Sequence, residues 1–116
     1  MNFLSQNVHW LLRITLATTF IVHGYPKILD CSSMIEMGMP TILAYLIGPF
    51  EVLGGCFLIG GAFFNSNITR LGASLICIIM LGAIFVVHIN EGWKGIEWQL
   101  LILSTCIVFL IKGNDV

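Results

Sequence analysis

The fold is decided by residues 40–64, which read PTILAYLIGPFEVLGGCFLIGGAFF. This stretch opens on Pro40, a residue suited to the first turn of a helix, and it contains a single charged side chain, Glu51. A helix of about 20 mostly apolar residues is long enough to cross the roughly 30 Å hydrocarbon core of a bilayer. We therefore predict a transmembrane helix over residues 40–64.

Three other apolar runs flank this one, at about residues 8–28, 68–89 and 97–111. The last run is short for a full span, about 22 Å at the usual helical rise, unless it begins nearer Trp93. None of the runs shows the polar and apolar alternation of a β-barrel strand. The sequence therefore predicts an all-α, integral membrane four-helix transmembrane bundle, antiparallel and up-down-up-down, in a single domain over residues 1–116.

The composition supports lipid as the outer solvent. Of 116 residues, 58% are hydrophobic and only 9% are charged, too few to cover a soluble core. A net charge of -1 supplies no basic field, so we expect no nucleic-acid partner. The four cysteines lack the paired spacing of zinc sites, and nothing else in the sequence demands a metal.

The positive charges divide unevenly between the two ends of such a bundle. Arg13, Arg70 and Lys112 fall on the side of both termini, against Lys27 and Lys94 on the other side. Because cytoplasmic segments are enriched in Lys and Arg, this count favours cytoplasmic N and C termini.

Glycine is dense in the second helix, at Gly48, Gly54, Gly55, Gly60 and Gly61. Small residues allow helices to approach closely in lipid. We interpret these glycines mainly as packing contacts.

Ionisable residues inside apolar helices cost several kcal/mol and need a partner or a cavity. With four antiparallel helices, His23, Glu51 and His88 all fall in the outer half of the membrane. Lys27 lies one turn after His23 on the same helix face. We therefore predict one site near the outer face, with His23, Glu51 and His88 as the catalytic, proton-handling groups.

Aromatic and charged residues open the fourth helix on that same side. We predict that Lys27, Glu97, Trp98 and Trp93 bind the substrate there. Structural alternatives stay open: Lys27 could extend to the headgroups, Glu51 could pair with Lys27 or Arg13, and the two tryptophans could belong to the interfacial aromatic belt.

Arg13 stands apart from this predicted site. It lies about one and a half turns into the first helix from the inner face, where its long side chain can extend to the membrane surface. We therefore assign Arg13 a structural or interfacial role.

Several of these residues also form short motifs in a familiar order. The motifs are Leu12-Arg13-Ile14, His23-Gly24-Tyr25-Pro26-Lys27, Gly38-Met39-Pro40, Glu51-Val52-Leu53-Gly54-Gly55, His88, Gly92-Trp93 and Glu97. Over nearly its whole length the chain resembles the DoxX family. That resemblance implies a four-helix membrane protein of bacterial or archaeal type, placed in the cytoplasmic (inner) membrane. Some relatives are subunits of thiosulfate:quinone oxidoreductase, and others join membrane redox assemblies that handle thiols.

Together the residues and the resemblance lead to a functional hypothesis. We expect a membrane redox subunit with a quinone or quinol pocket near the outer face, which serves thiosulfate or thiol oxidation coupled to the quinone pool. Quinone is the expected substrate, no cofactor is intrinsic to the chain, and the electron donor comes from elsewhere. Expected partners are membrane lipid and either other membrane redox subunits or further copies of this chain. Two alternatives stay open: a non-catalytic anchor or assembly subunit, and a small proton-coupled transporter.

Overall fold

The computed structural model of the protein describes residues 3–36, 38–87, 90 and 92–116. Each regular element in these ranges is helical, which confirms the predicted all-α class. The helices are α1 (Phe3–Asn7), α2 (His9–Leu29), α3 (Ser32–Glu36), α4 (Thr41–Phe63), α5 (Ser66–Gly82) and α6 (Trp93–Lys112). One π-helical turn, Ala83–Val87, continues α5.

Within the described ranges, three helical segments are long and apolar enough to cross a membrane: Thr41–Phe63, Ser66–Phe85 and Trp93–Lys112. They confirm the prediction of a membrane protein with transmembrane helices. The helix α2, with 21 residues, has a comparable length of about 31 Å but is not among them. Its hydropathy is lowered by Arg13, His23 and Lys27.

The observed helix ends differ from the sequence-based bounds for local reasons. The helix α2 runs past Pro26 to Leu29, because proline in the last turn still offers its carbonyl, which accepts the N–H of Asp30 at 2.9 Å. The helix α6 begins at Trp93, four residues before the predicted start. At α5 the side chain of Asn65 accepts the N–H of Ile68 at 3.1 Å and caps the helix. The helix α5 therefore begins at Ser66, two residues before the predicted start.

The short helices α1 and α3 were not predicted from the sequence. At the start of α3 the carboxylate of Asp30 accepts the backbone N–H of Ser32 at 2.9 Å, and this bond lowers the pKa of Asp30. Cys31 and Met34 are buried together with Ala44 of α4. Cys31 precedes α3 in the connection between α2 and α4, and this packing covers it.

Glycines set the close approach of consecutive long helices. A Cβ built on Gly24 would lie 2.9 Å from the Gly48 carbonyl oxygen, and one on Gly55 would lie 3.1 Å from the Ala17 carbonyl oxygen. Residues late in α2 thus meet residues early in α4. The packing role predicted for the glycines of α4 is confirmed at Gly48, Gly54, Gly55 and Gly61, whereas Gly60 has no neighbour within 4 Å.

The main apolar core draws on all four long helices. Its members include Leu16, Phe20, Leu58, Ile76, Cys106 and Phe109. Burial is uneven, because only 11% of the most apolar window of α6 is buried, against 33% for α4 and 44% for Ser66–Phe85. Most of α6 therefore faces the surroundings of the protein.

Candidate functional site

A buried carboxylate lies between α2 and α4. Glu51 is only 3% exposed, and its Oε1 lies 2.8 Å from Nζ of Lys27. The Lys27 side chain keeps 33% of its surface exposed, so the ammonium group lies between the carboxylate and the outside of the protein. Of the sequence-predicted site residues that the structure describes, Lys27 and Glu51 form an ion pair.

The contact depends on the absence of side chains at Gly24 and Gly48. A Cβ on Gly24 would lie 2.9 Å from Cβ of Glu51, and a Cβ on Gly48 would lie 2.9 Å from the backbone nitrogen of Ile28. Such distances are too short for real carbon atoms, so a larger residue would push α2 and α4 apart. Close backbone approach is thus what places Lys27, one turn beyond Gly24, within reach of Glu51.

Half of the Glu51 carboxylate lacks a partner. Within the described residues, Oε2 of Glu51 is buried and accepts no hydrogen bond. Leaving a buried acceptor unsatisfied costs about 1–3 kcal/mol, and more when the group is charged. Oε2 of Glu51 can therefore accept a hydrogen bond from an O–H or N–H group of a ligand. Alternatively, this oxygen can take up a proton.

His23 lies at a different surface. It is exposed and lines a groove of about 460 Å³ on α2, together with Ile14, Thr15, Thr18, Thr19 and Val22. The hydroxyls of Thr15 and Thr19 donate to carbonyls one turn earlier, at 2.7 and 2.8 Å. His23 is the titratable group of this groove, and Glu51 is not among the lining residues.

The aromatic residues of α6 form a third location. Trp93, Glu97 and Trp98 are exposed and line a groove of about 440 Å³ with Leu100, Leu101 and Ser104. Neither Lys27 nor Glu51 lines it. His88 lies outside the described residues, so its predicted convergence with His23 and Glu51 stays a prediction. In the part of the chain that is described, the predicted site is spread over an ion pair and two grooves.

The residue placed least well by the sequence is Arg13. Its side chain, predicted to have a structural or interfacial role, is fully buried and does not extend out of the protein. Nη1 donates to Thr69 Oγ1 at 3.1 Å and to the carbonyl of Leu58, Nη2 donates to Asn114 Oδ1 at 2.7 Å, and Nε donates to His9 Nδ1 at 2.9 Å. The structural role is the one that these bonds support.

Asn114 completes this Arg13 cluster from the end of the chain. Its Oδ1 also accepts the Thr69 hydroxyl at 2.6 Å, and its Nδ2 donates to the Gly61 carbonyl at 2.9 Å. The Phe109 ring centroid lies 5.0 Å from Cζ of Arg13. Sequence reasoning missed Thr69 and Asn114. The available signals were a threonine at the start of an apolar run and an amide two residues after the last helix.

Within the described residues the acceptors bonded to Arg13 are all neutral, so the cluster holds a buried positive charge without a carboxylate there. A guanidinium group tolerates this better than an ammonium group, because it is weakly hydrated and its five donors can each be satisfied.

The described ranges contain no group of three or more His, Cys, Asp or Glu side chains able to hold a metal ion.

The sequence that carries these residues matches a known family. The DoxX family model aligns with residues 9–89, which is more than half of the chain and includes Arg13, His23, Lys27 and Glu51. The chain belongs to the DoxX family. This DoxX protein is also 29% identical over 109 residues to a protein of Bacillus subtilis (strain 168) named "Putative oxidoreductase CatD". The alignment covers 90% of this chain and 78% of that relative. No solved structure is significantly similar to this chain.

Proposed function

We propose that this DoxX protein is a membrane redox subunit that binds quinone or quinol near the outer face of the prokaryotic cytoplasmic membrane. In this proposal α2 is a fourth membrane span, the four long helices alternate in direction, and both termini are cytoplasmic. Two observations support the arrangement. Residues late in α2 contact residues early in α4, as in antiparallel helices, and α2 is long enough to span a membrane. Support for redox chemistry comes from the family and from the name of the Bacillus relative.

The observation that carries the proposal is the half-paired carboxylate of Glu51. A quinol hydroxyl is a hydrogen-bond donor of the kind that Oε2 lacks within the described residues. Reduction of a quinone adds two electrons and two protons, and its reversal removes them. A buried carboxylate fixed by Lys27 can accept a proton from the substrate or return one, which is general acid–base catalysis.

The remaining predicted residues have supporting roles in this proposal. His23 and His88 exchange protons with the Glu51 region, Lys27 holds the carboxylate, and Trp93, Glu97 and Trp98 contact the substrate on the side of α6. Electrons come from a partner protein or a reduced sulfur substrate, such as a thiol or thiosulfate. Other membrane redox subunits or a second copy of this chain are the proposed partners.

The first experiment measures quinone binding to the purified protein in mild detergent. We expect a short-chain quinone to raise the melting temperature of the wild type, since a ligand present at 100 times its Kd stabilises the folded state by about 2.7 kcal/mol. The variant Glu51→Gln should lose most of this shift, because it changes the acceptor while keeping nearly the same shape. Glu36→Gln, at an exposed residue of α3, is the matched control.

Two results would overturn the proposal. One is a wild-type protein whose lipid extracts contain no quinone and whose melting temperature does not respond to it. The other is a Glu51→Gln variant that responds like the wild type.

A second candidate function is a non-catalytic anchor within a larger membrane complex. The low burial of α6, 11% of its apolar window, favours this alternative because it leaves a long face for a partner. Whether the variants still assemble into the larger membrane complex distinguishes the two candidate functions. Loss of quinone-dependent turnover by Glu51→Gln or His88→Ala in an intact complex supports the redox subunit, whereas loss of the complex itself supports the anchor.

A further inference from the structure

A second buried oxygen without a partner lies on α6. Within the described residues, Oε1 of Gln99 is buried and accepts no hydrogen bond, as is true of Oε2 of Glu51. Gln99 lies seven residues before Cys106 on α6, and Glu51 lies seven residues before Leu58 on α4. Cys106 and Leu58 are fully buried members of one apolar core. Since residues seven apart share a helix face, Gln99 and Glu51 both face this core.

The contacts of α4 with α5 fix the level of Glu51 along the bundle. A Cβ built on Gly54 would meet Ile76, and one built on Gly61 would meet Thr69. Seven residues forward along α4 therefore correspond to seven residues back along α5. Glu51 lies three residues before Gly54, so it is level with a position three residues beyond Ile76.

The contacts of α6 with α5 fix the level of Gln99 in the same way. A Cβ built on Gly113 would lie 2.8 Å from Cβ of Ser66, and Nε of Arg70 donates to the carbonyl of Leu110 at 3.2 Å. Gln99 lies eleven residues before Leu110, so it is level with a position about eleven residues beyond Arg70. This position is two residues from the one level with the buried carboxylate of α4, a difference of about 3 Å along the bundle.

Two features of this level suit a ligand. A π-helical turn, Ala83–Val87, begins just beyond it on α5, and such turns are frequent at functional sites. Of the three apolar segments named above, α6 is the least buried, with 11% of its window covered. A helix with few buried contacts is displaced most easily, so α6 is the wall that moves outward to admit a ring.

We propose that Gln99 binds one hydroxyl of a quinol whose opposite hydroxyl is bound by Glu51. The inference rests on the proposed binding of quinol at Glu51. Two inward-facing acceptors at the same level match a ring that carries one O–H donor at each end. The amide also suits both oxidation states, because its oxygen accepts from a quinol hydroxyl and its Nε2 donates to a quinone carbonyl without a change of charge. Glu51 exchanges the proton, and Gln99 orients the ring.

The test compares a short-chain benzoquinol with its mono-O-methyl ether, which lacks one O–H donor. Both are titrated anaerobically into the purified protein in mild detergent and followed by calorimetry. The wild type should bind the quinol about tenfold more tightly than the ether, the scale of one buried hydrogen bond. Gln99→Leu should bind the two about equally, because the second acceptor is gone. Gln6→Leu makes the same change at an exposed residue of α1 and should keep the wild-type preference.

A stability measurement separates ligand binding from packing. Without ligand, Gln99→Leu should melt a few degrees above the wild type, since leucine removes a buried acceptor that has no partner in the described residues. Gln99→Met removes the same amide from an unbranched side chain and should repeat both results. The test therefore does not depend on the folding of one variant.

An undiminished preference for the quinol in Gln99→Leu or Gln99→Met would overturn the inference. A wild type that binds quinol and ether equally would overturn it as well, because the ring would then use one hydroxyl only. If Glu51→Gln loses quinol binding in either case, the proposed function stands and only the role of Gln99 is wrong. A wild type that binds neither compound would overturn both.

Discussion

Nη2 of Arg13 donates to Oδ1 of Asn114 at 2.7 Å, a bond between residues 101 positions apart that ties the first long helix to the end of the chain. The same asparagine bonds Thr69 of α5 and the Gly61 carbonyl of α4. One amide therefore joins all four long helices at one end of the structure. Stability at this end should depend on a few polar groups rather than on apolar area.

Replacing Arg13 by Met should destabilise the protein strongly. The substitution keeps much of the aliphatic volume but leaves the acceptors on Leu58, Thr69 and Asn114 without their donor. We expect a loss of about 3 kcal/mol or more in the free energy of unfolding, measured by SDS titration in mixed micelles. Arg70→Gln should cost less, because Arg70 is only partly buried and bonds two carbonyls at 3.2 and 3.4 Å. Equal losses for the two variants would contradict a special role for Arg13.

Replacing Asn114 by Ala should also destabilise the bundle. The variant removes the acceptor of Arg13 and Thr69 and the donor to Gly61, so we expect a loss of about 1–3 kcal/mol in the same titration. Asp115→Ala is the matched control, because Asp115 is the next residue and is exposed. If Asn114→Ala and Asp115→Ala unfold at the same SDS fraction, the amide does not hold the helices together.

Replacing each of two adjacent glycines of α4 by alanine should change the stability of the protein in opposite directions. A Cβ on Gly61 would lie 2.5 Å from the backbone nitrogen of Thr69, whereas Gly60 has nothing within 4 Å. Gly61→Ala should therefore force α4 and α5 apart and cost about 2 kcal/mol or more. Gly60→Ala should stabilise by up to about 1 kcal/mol, because alanine is the better helix former. The difference in melting temperature between these variants checks the packing directly.

Replacing Lys27 and replacing Glu51 should lower the free energy of unfolding by different amounts. Lys27→Met leaves a buried carboxylate without its cation and is expected to cost about 3 kcal/mol, whereas Glu51→Gln removes the buried charge and should cost less. The double variant should be closer in stability to Glu51→Gln than to Lys27→Met. A double-mutant cycle measured by SDS titration tests this, and additive single effects would show that the pair contributes no coupling.

Cysteine labelling should separate lipid-facing from buried helix faces. Cys56 is exposed, while Cys77 and Cys106 are buried in the core. In membranes, a lipid-permeable maleimide should modify Cys56 first, and Cys77 and Cys106 only after denaturation. Each site is read by mass spectrometry. Early modification of Cys106 would contradict the packing of α6 against the core.

The all-helical membrane class could be predicted because it follows from run length and hydropathy, which are local properties. The prominence of Glu51 could be predicted for the same reason, since a carboxylate in a long apolar run is visible without coordinates. Its pairing with Lys27 was one of two structural alternatives. Choosing between Lys27 and Arg13 required the register of α2 against α4, because both side chains bond α4, Arg13 at Leu58 and Lys27 at Glu51.

Helix rotation is a further property that the sequence left undecided. The helix α4 is apolar almost all round, so its sequence does not mark which side faces α2. His23 and Lys27 are one turn apart in sequence, yet the first is exposed at a groove and the second contacts Glu51. A small rotation of α2 decides that outcome, and it is set by contacts at Gly24 and Gly48.

The sequence by itself determined a helical membrane protein of the DoxX family with a carboxylate in an apolar helix. Only the tertiary structure decided that Arg13 is a buried junction with Asn114 and that Lys27 pairs with Glu51. The physical reason is that insertion into lipid depends on the sum of side-chain hydropathies along each helix. Contacts between helices depend instead on rotation and register, which close backbone packing fixes after the helices meet.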